Sequence, residues 1–508
     1  MSDSSNKRIA INTVLLYVRM LFLVLISLYT SRIVLKTLGV EDFGIHNVVA
    51  GIISFLGFLT GSLSGASSRF ITFSLGKGDL PQLKATFGNI LLIHLLFALL
   101  ILALGETLGL WFVSTQLNIP PERETAAFWV YQFSILTAIG SLVSMPYNAV
   151  IIAHEKMSAF AYLTIGDAVL KLASVFLLMY LPYDKLILYA LFILCIQFFD
   201  FLVYIAYCSR KFEETQSLHL KINKSLFKEI FYYTGWTMNG NLAVFGYTQG
   251  LNILLNIFFN PAVNAARGIA VQVQNIINNF SVNFQTAVNP QLTKSYAQED
   301  YARMHQLLVM SSKFSVFLMC FICLPLSLEI DQVLKWWLGS YPEHTRMFLR
   351  LILFTSILFC LANPLITSVH ATGRIKRFQL IEGSMLLMIV PLSYLLLRFF
   401  HVPPESVFVV HIVVELCTQY ARVRIVLPMI NMDRKTYIRE VIRPIVKVAL
   451  TAPVIPLLLY SYLPQNIFTF LVVGSACVLS VTSCTYFFGC TEKERSIITH
   501  KLRTRLKR

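Results

Sequence analysis

The sequence predicts an all-α integral membrane protein of about 14 transmembrane helices, built as two pseudo-symmetric six-helix lobes plus two C-terminal helices. Three observations predict it. First, 56% of the 508 residues are hydrophobic and only 13% are charged, with mean hydropathy +0.67. A soluble domain carries about 25% charged residues. Second, the chain repeats itself. IVLKTLGVEDFGIHNVVAGI from Ile33 returns as ILLNIFFNPAVNAARGIAVQ from Ile253, and MPYNAVIIAHEKMSAF from Met145 as NPLITSVHATGRIKRF from Asn363. LCIQFFD from Leu194 sits over LCTQYAR from Leu416, so the offsets are 220, 218 and 222. Third, of the 42 Lys and Arg, 31 fall on the side of the N-terminus and 9 on the other, with Arg19 and Lys171 inside spans. That bias orients both termini toward the cytoplasm.

A helical span needs about 20 mainly apolar residues. The first, near 9–31, follows the basic start MSDSSNKR; it is too long for a signal-peptide core and reads as an uncleaved span. Others follow near 43–64, 87–113, 126–152, 159–181 and 186–208, completing the first half. A polar, basic connector over 210–229 has the character of an amphipathic helix on the inner leaflet. The second half takes 230–258, 263–288, 307–330, 347–369, 379–400 and 406–428; spans near 445–463 and 466–488 lie outside the duplication. The second, eighth and twelfth are the most polar. The expected domains are an N-lobe over 1–209, the connector 210–229, a C-lobe over 230–430, and 431–508 with the last two spans and a basic cytoplasmic tail. Two similar apolar halves of equal orientation are the layout of a transporter.

Several functions are disfavoured. The net charge of +16 lies in short loops between spans, where it reads as a topology signal and not as a nucleic-acid footprint. The nine cysteines sit mostly in apolar runs; Cys320 and Cys323 have metal spacing but no second pair, so no metal is expected. GKGD over Gly76–Asp79 lacks the P-loop pattern, and His154-Glu155 is not the start of a zinc-protease motif. No enzyme and no bound cofactor are expected. Transport work would come from a gradient, a potential or product removal.

Ionisable groups inside spans are costly and mark candidate sites. Arg19 lies about halfway down span 1. Its guanidinium can hold a phosphate by two parallel hydrogen bonds, or it snorkels to the inner interface or pairs with a carboxylate. Arg267 opens span 8 among small residues that leave room for a ligand, or it anchors the outer interface. Arg32 and Arg69 flank spans 1 and 2 as interface charges and further anion contacts. Asp167 and Lys171 are four apart and share a helix face, as an ion pair or a proton or cation site; Asp200, Glu382 and Glu415 are further candidates. Coupling to H+ or Na+ would run through Asp167, Lys171 and Asp200. Asp200 aligns with Arg422, so the halves differ in charge at matched places. Spans 7 and 8 are rich in amides, among them Asn239, Gln249, Asn252, Asn256, Asn260, Gln272, Gln274, Asn275, Asn278, Asn279 and Gln285. Amides in lipid are unfavourable, so these face either a hydrated cavity or a neighbouring helix. Asn256, Asn275 and Asn279 are the expected contacts for sugar hydroxyls.

These residues carry a resemblance. The segment SLYTSRIVLKTLGVEDFGIHNVVAGI, then SSRFITFSLGKGD, with Arg19 ahead of them, resembles bacterial polysaccharide (O-antigen or capsule) flippases of the Wzx type. These belong to the multidrug/oligosaccharidyl-lipid/polysaccharide (MOP) exporter superfamily, with the MATE drug exporters and the lipid II flippase. The resemblance spans essentially the whole chain, and its opening segment is the most specific part. It implies transfer of an undecaprenyl-diphosphate-linked oligosaccharide from the cytoplasmic to the periplasmic leaflet of the bacterial inner membrane by alternating access. It also implies that arginines of spans 1 and 8, by position Arg19 and Arg267, hold the diphosphate. The implied partners are the lipid-linked oligosaccharide, membrane lipids, a polysaccharide polymerase and other export-pathway proteins. The alternative is a cation-coupled multidrug exporter of the MATE type, whose site should be more acidic and aromatic.

Overall fold

Gly39 breaks the first long helix at a backbone angle that only glycine adopts without strain (φ 79°) and so separates two membrane helices. The computed structural model describes residues 2–54, 57–115, 119–216, 223–259, 261–339, 341–464, 466–492, 494–496 and 499. Helix α1 covers 2–38. The label α2 is given to the helical residues 40–54 and Gly57–Lys77. There follow α3 (Leu80–Thr115), α4 (Glu124–Ala153), α5 (Met157–Tyr180), α6 (Lys185–Lys211), α7 (Lys224–Phe258), α8 (Pro261–Ala297), α9 (Tyr301–Leu328), α10 (Thr345–Thr372), α11 (Lys376–Phe400), α12 (Ser406–Met429), α13 (Arg434–Tyr462) and α14 (Ile467–Gly489). The protein is all-α. Among the described residues, eleven helices are long and apolar enough to cross a membrane; α2, α7 and α8 are as long but more polar.

The duplication is visible in the backbone. Gly78 and Glu299 both take left-handed angles (φ 74° and 59°), and the aspartate after each caps the next helix. Asp79 accepts from Gln82 N at the start of α3, and Asp300 accepts from Arg303 N at the start of α9, each at 3.0 Å. Helices α2 and α8 run to Lys77 and Ala297, well past the ends read from hydropathy, because helical hydrogen bonding continues where the apolar stretch stops. An unanticipated amphipathic helix, Ile330–Leu338, lies between α9 and α10; it buries Ile330 and Leu334 and leaves Trp336 and Trp337 exposed.

The chain folds as two compact units, one of Met1–Asn241 with Tyr296–Gln298, the other of Leu242–Ser295 with Glu299–Arg508. In the first, α4 packs on α2, α3 and α6 through Ile45, Val49, Val113, Val130, Tyr131, Ile135 and Leu186, while α1 packs on α5 through Val34, Leu38, Val175 and Leu178. In the second, Leu251, Leu255, Ala266, Ala270, Phe348, Ile389 and Phe408 form the main core of α7, α8 and α10–α12. Phe317, Val448, Ala452 and Val481 join α9 to α13 and α14. Lipid supplies no hydrophobic drive between helices, so close fit matters. A Cβ on Gly250 would come 2.6 Å from Val390 Cγ2, so α7 and α11 touch through that glycine. Of the glycines in α2, Gly61 would place a Cβ 3.6 Å from Asn241 Nδ2, and Gly65 meets open space.

Candidate functional site

In the first unit, α1, α5 and α6 bring seven polar or aromatic side chains together. Arg19 Nε donates to Thr164 Oγ1 at 2.6 Å, and its guanidinium lies over the Phe160 ring, 4.3 Å from the centroid. It is half-buried, and no ion pair of Arg19 is found among the described residues. One turn along, Lys171 Nζ pairs with Asp167 at 2.8 Å. Asp200 of α6 lies beside Asp167. Tyr204, one turn from Asp200, stands close to Asp200, Asp167 and Arg19. All are partly open: the Lys171 side chain is 44% exposed. Two cations, a carboxyl pair and a phenol thus lie together, each partly exposed.

The remaining basic candidates of that unit lie elsewhere. Arg32 is exposed at the far end of α1, about 20 Å along the axis from Arg19. A single diphosphate is too small to span that distance. Arg69 is buried in α2 beneath Phe70, Phe73 and Tyr233, at 4.2, 4.9 and 5.4 Å, with Glu229 at 4.0 Å. Its charge is met by buried rings and by the exposed carboxylate of Glu229.

In the second unit, Arg267 is 6% exposed. It donates to the side-chain oxygen of Asn252 and, at 3.0 Å, to the carbonyl of Thr248, both on α7; its Nε is buried without a partner. Arg267 therefore staples α8 to α7. Asn252 in turn donates to Gln249 Oε1 at 3.1 Å. Arg422 is 4% exposed and touches Glu382 at 2.6 Å and Glu415 at 2.5 Å, with Gln419 at 3.2 Å. The sequence candidates Glu382 and Glu415 are thus occupied by a buried arginine.

The amides of α8 divide by face. Gln272, Asn275 and Asn279 are exposed along one stripe, and Asn256 is exposed on α7. Gln274 donates to Thr355 at 3.2 Å; buried Gln285 bridges Ser315 and the Cys360 carbonyl at 3.2 and 3.3 Å and accepts from Asn363. The last two take the dry, helix-joining alternative. Asn260 lies outside the described residues.

Sequence reading missed Phe160, Thr164 and Tyr204. Their signal was present. Phe160, Thr164, Asp167 and Lys171 fall at i, i+4, i+7 and i+11, one helical face, and Asp200 and Tyr204 are one turn apart.

No family model matches the sequence. The Bacillus subtilis "uncharacterized membrane protein EpsK" is 29% identical over 97 residues, a stretch that covers 19% of this chain and 19% of that protein. Among solved structures, the outward-facing form of a multidrug resistance MATE family transporter of the MOP superfamily aligns with a TM-score of 0.71 at 14% identity, covering 84% of this chain and 96% of that one. The MATE transporter VcmN of Vibrio cholerae in its bent form gives 0.67 at 16%, covering 84% and 98%. A MOP superfamily transporter of Pyrococcus furiosus, described by the reverse polarity of its binding pocket, gives 0.67 at 15%, covering 83% and 95%. At these identities the likeness is one of fold: the chain is a multi-pass membrane protein with the fold of the MOP superfamily transporters.

Proposed function

We propose that the protein is a flippase that moves an undecaprenyl-diphosphate-linked oligosaccharide from the cytoplasmic to the periplasmic leaflet by alternating access. It would sit in the bacterial cytoplasmic membrane with both termini inside. The observation that carries this reading is Arg19, a half-open guanidinium at membrane depth, held by a hydroxyl and a ring and free of any ion pair among the described residues. A diphosphate supplies the missing counter-charge through parallel charged hydrogen bonds. The exposed amides Gln272, Asn275, Asn279 and Asn256 suit sugar hydroxyls. Arg267 acts one step back, setting the α7 amides through Asn252. Asp167 and Asp200 are neighbouring carboxyls inside spans with Lys171 beside them, so they are the place for H+ coupling.

That same carboxyl pair favours the second reading, a cation-coupled multidrug exporter. The test separates them. A strain lacking the protein should accumulate inward-facing lipid-linked saccharide, with rescue by the wild type and not by Arg19→Ala. Purified protein that transports organic cations in liposomes and leaves lipid-linked saccharide in place would establish the second reading instead.

A further inference from the structure

Helix α13 has one closed face and one charged face. Tyr437, Val441 and Val448 are fully buried and Ala452 nearly so. On the opposite side Lys435, Arg439, Arg443 and Lys447 are all exposed. They follow one another at steps of four. In a regular α-helix each such step drifts about 40° around the axis. The wider π-turn Ile438–Ile442 falls in the middle of the run and offsets part of that drift, so the four cations form one stripe about 18 Å long.

Such a stripe is unfavourable on its own. Like charges at i and i+4 repel, and here three such pairs follow in series. Arg439 meets Glu440 at 3.2 Å, but that carboxylate is 40% exposed and next in sequence. No ion pair of Lys435, Arg443 or Lys447 is found among the described residues. Loop charges that only orient a membrane protein need not align on one helix face.

Length places the stripe. The 29 residues of α13 reach about 44 Å, against about 30 Å of hydrocarbon. About nine residues therefore stand outside the apolar layer. With the basic loops inside, as proposed above, Lys435, Arg439 and Arg443 lie at the level of the cytoplasmic headgroups, and Lys447 snorkels from the first turn below. Beside the cations, Ile438, Val446 and Leu450 are exposed apolar side chains.

We infer that this stripe is a docking surface for anionic phospholipid headgroups of the cytoplasmic leaflet. The phosphates answer the four cations, and the acyl chains cover Ile438, Val446 and Leu450. A soluble anion would leave that apolar flank uncovered. The surface tethers unit two to acidic lipid through a helix that lies outside the duplicated halves.

The test uses the full-length protein in neutral detergent micelles doped with phosphatidylglycerol or phosphatidylcholine, read by retained lipid in native mass spectrometry. Wild type should hold phosphatidylglycerol in preference. Each basic residue near an anionic surface is worth about fivefold in binding, so the combined Lys435→Gln, Arg439→Gln, Arg443→Gln, Lys447→Gln variant should lose that preference by about 100-fold or more. A control removing other exposed cytoplasmic cations, Arg374→Gln, Arg377→Gln and Arg424→Gln, should keep it. Equal loss in the control, no loss in the stripe variant, or equal binding of inorganic phosphate would overturn the inference. If the fourfold variant does not fold, single Arg439→Gln and Arg443→Gln decide: about fivefold weaker binding is expected, and no change overturns it. The readout is independent of export, so it can fail or succeed separately from the flippase reading.

Discussion

The two halves place charged side chains between corresponding helices and treat them in opposite ways. Between α5 and α6, Asp167, Lys171 and Asp200 lie partly open beside Arg19 and Tyr204. Between α11 and α12, Glu382, Glu415 and Arg422 are closed in, with the arginine 4% exposed against two carboxylates. Asp200 and Arg422 occupy corresponding places in the repeat, so the sign is inverted as well. The difference teaches which charge is available to a ligand. A buried arginine that meets two carboxylates is held by the protein, and an arginine resting on a hydroxyl and a ring has charge to spare. Duplication supplied the same scaffold twice; one copy carries a closed network and the other an open cluster.

The contrast can be broken by mutation, beginning with its largest expected effect. Arg422→Ala strands two buried carboxylates and should cost about 3–5 kcal/mol in thermal unfolding. Replacing the whole network with Glu382→Leu, Glu415→Leu and Arg422→Met should recover most of that loss. Lys171→Ala should cost less than about 1 kcal/mol, since its pair is solvent-open. Similar losses at Arg422 and Lys171 would erase the distinction.

Arg267→Ala comes next. It removes two charged hydrogen bonds between α8 and α7 and should cost about 1.5–3 kcal/mol, measured in the same unfolding assay. A variant as stable as wild type would mean that the staple contributes nothing to unit two.

Another set of helix ends offers a subtler version of the comparison. Arg123 joins Asp184 at 2.5 Å and also Asp42; at an offset of 221, His344 joins Glu405 at 2.5 Å. Arg123 serves two carboxylates, one of them nearly buried, and His344 serves one. Arg123→Ala should therefore lower stability by about 1–3 kcal/mol, and His344→Ala by less. The reverse order would show that the repeat does not set the load on these pairs.

The smallest effect is expected at Glu329, which follows α9. Burial pushes its carboxyl above the usual carboxylate range, and Oε1 has no partner. A raised folded value favours the protonated form. The stability it supplies is present at low pH and lost as pH rises through that value. Glu329→Gln should thus stabilise the protein more at pH 8 than at pH 5. A pH-independent difference would contradict the burial argument.

Much of the fold was legible because membrane helices announce themselves by apolar length, and the repeat carried its punctuation with it, as in Asp79 and Asp300. The pairing of Asp167 with Lys171 followed from a spacing of four and formed. Partners between distant helices were less legible. The small residues around Arg267 read as room for a ligand; in the fold the guanidinium is taken up by Asn252 and Thr248 of α7. Gln285 and Asn279 are both amides of one helix, yet one is buried against α9 and α10 and the other exposed. Sequence spacing assigns residues to faces and does not say which face meets a neighbour.

The most direct measurement of the central claim is the affinity of undecaprenyl diphosphate for the full-length protein in lipid nanodiscs, compared among wild type, Arg19→Gln and Arg267→Gln. Loss of charged hydrogen bonds at an open site should weaken binding by about 10- to 100-fold in Arg19→Gln, with a much smaller change in Arg267→Gln. Unchanged affinity in Arg19→Gln, or a larger loss at Arg267, would contradict the assignment of the anion to the open cluster of the first unit.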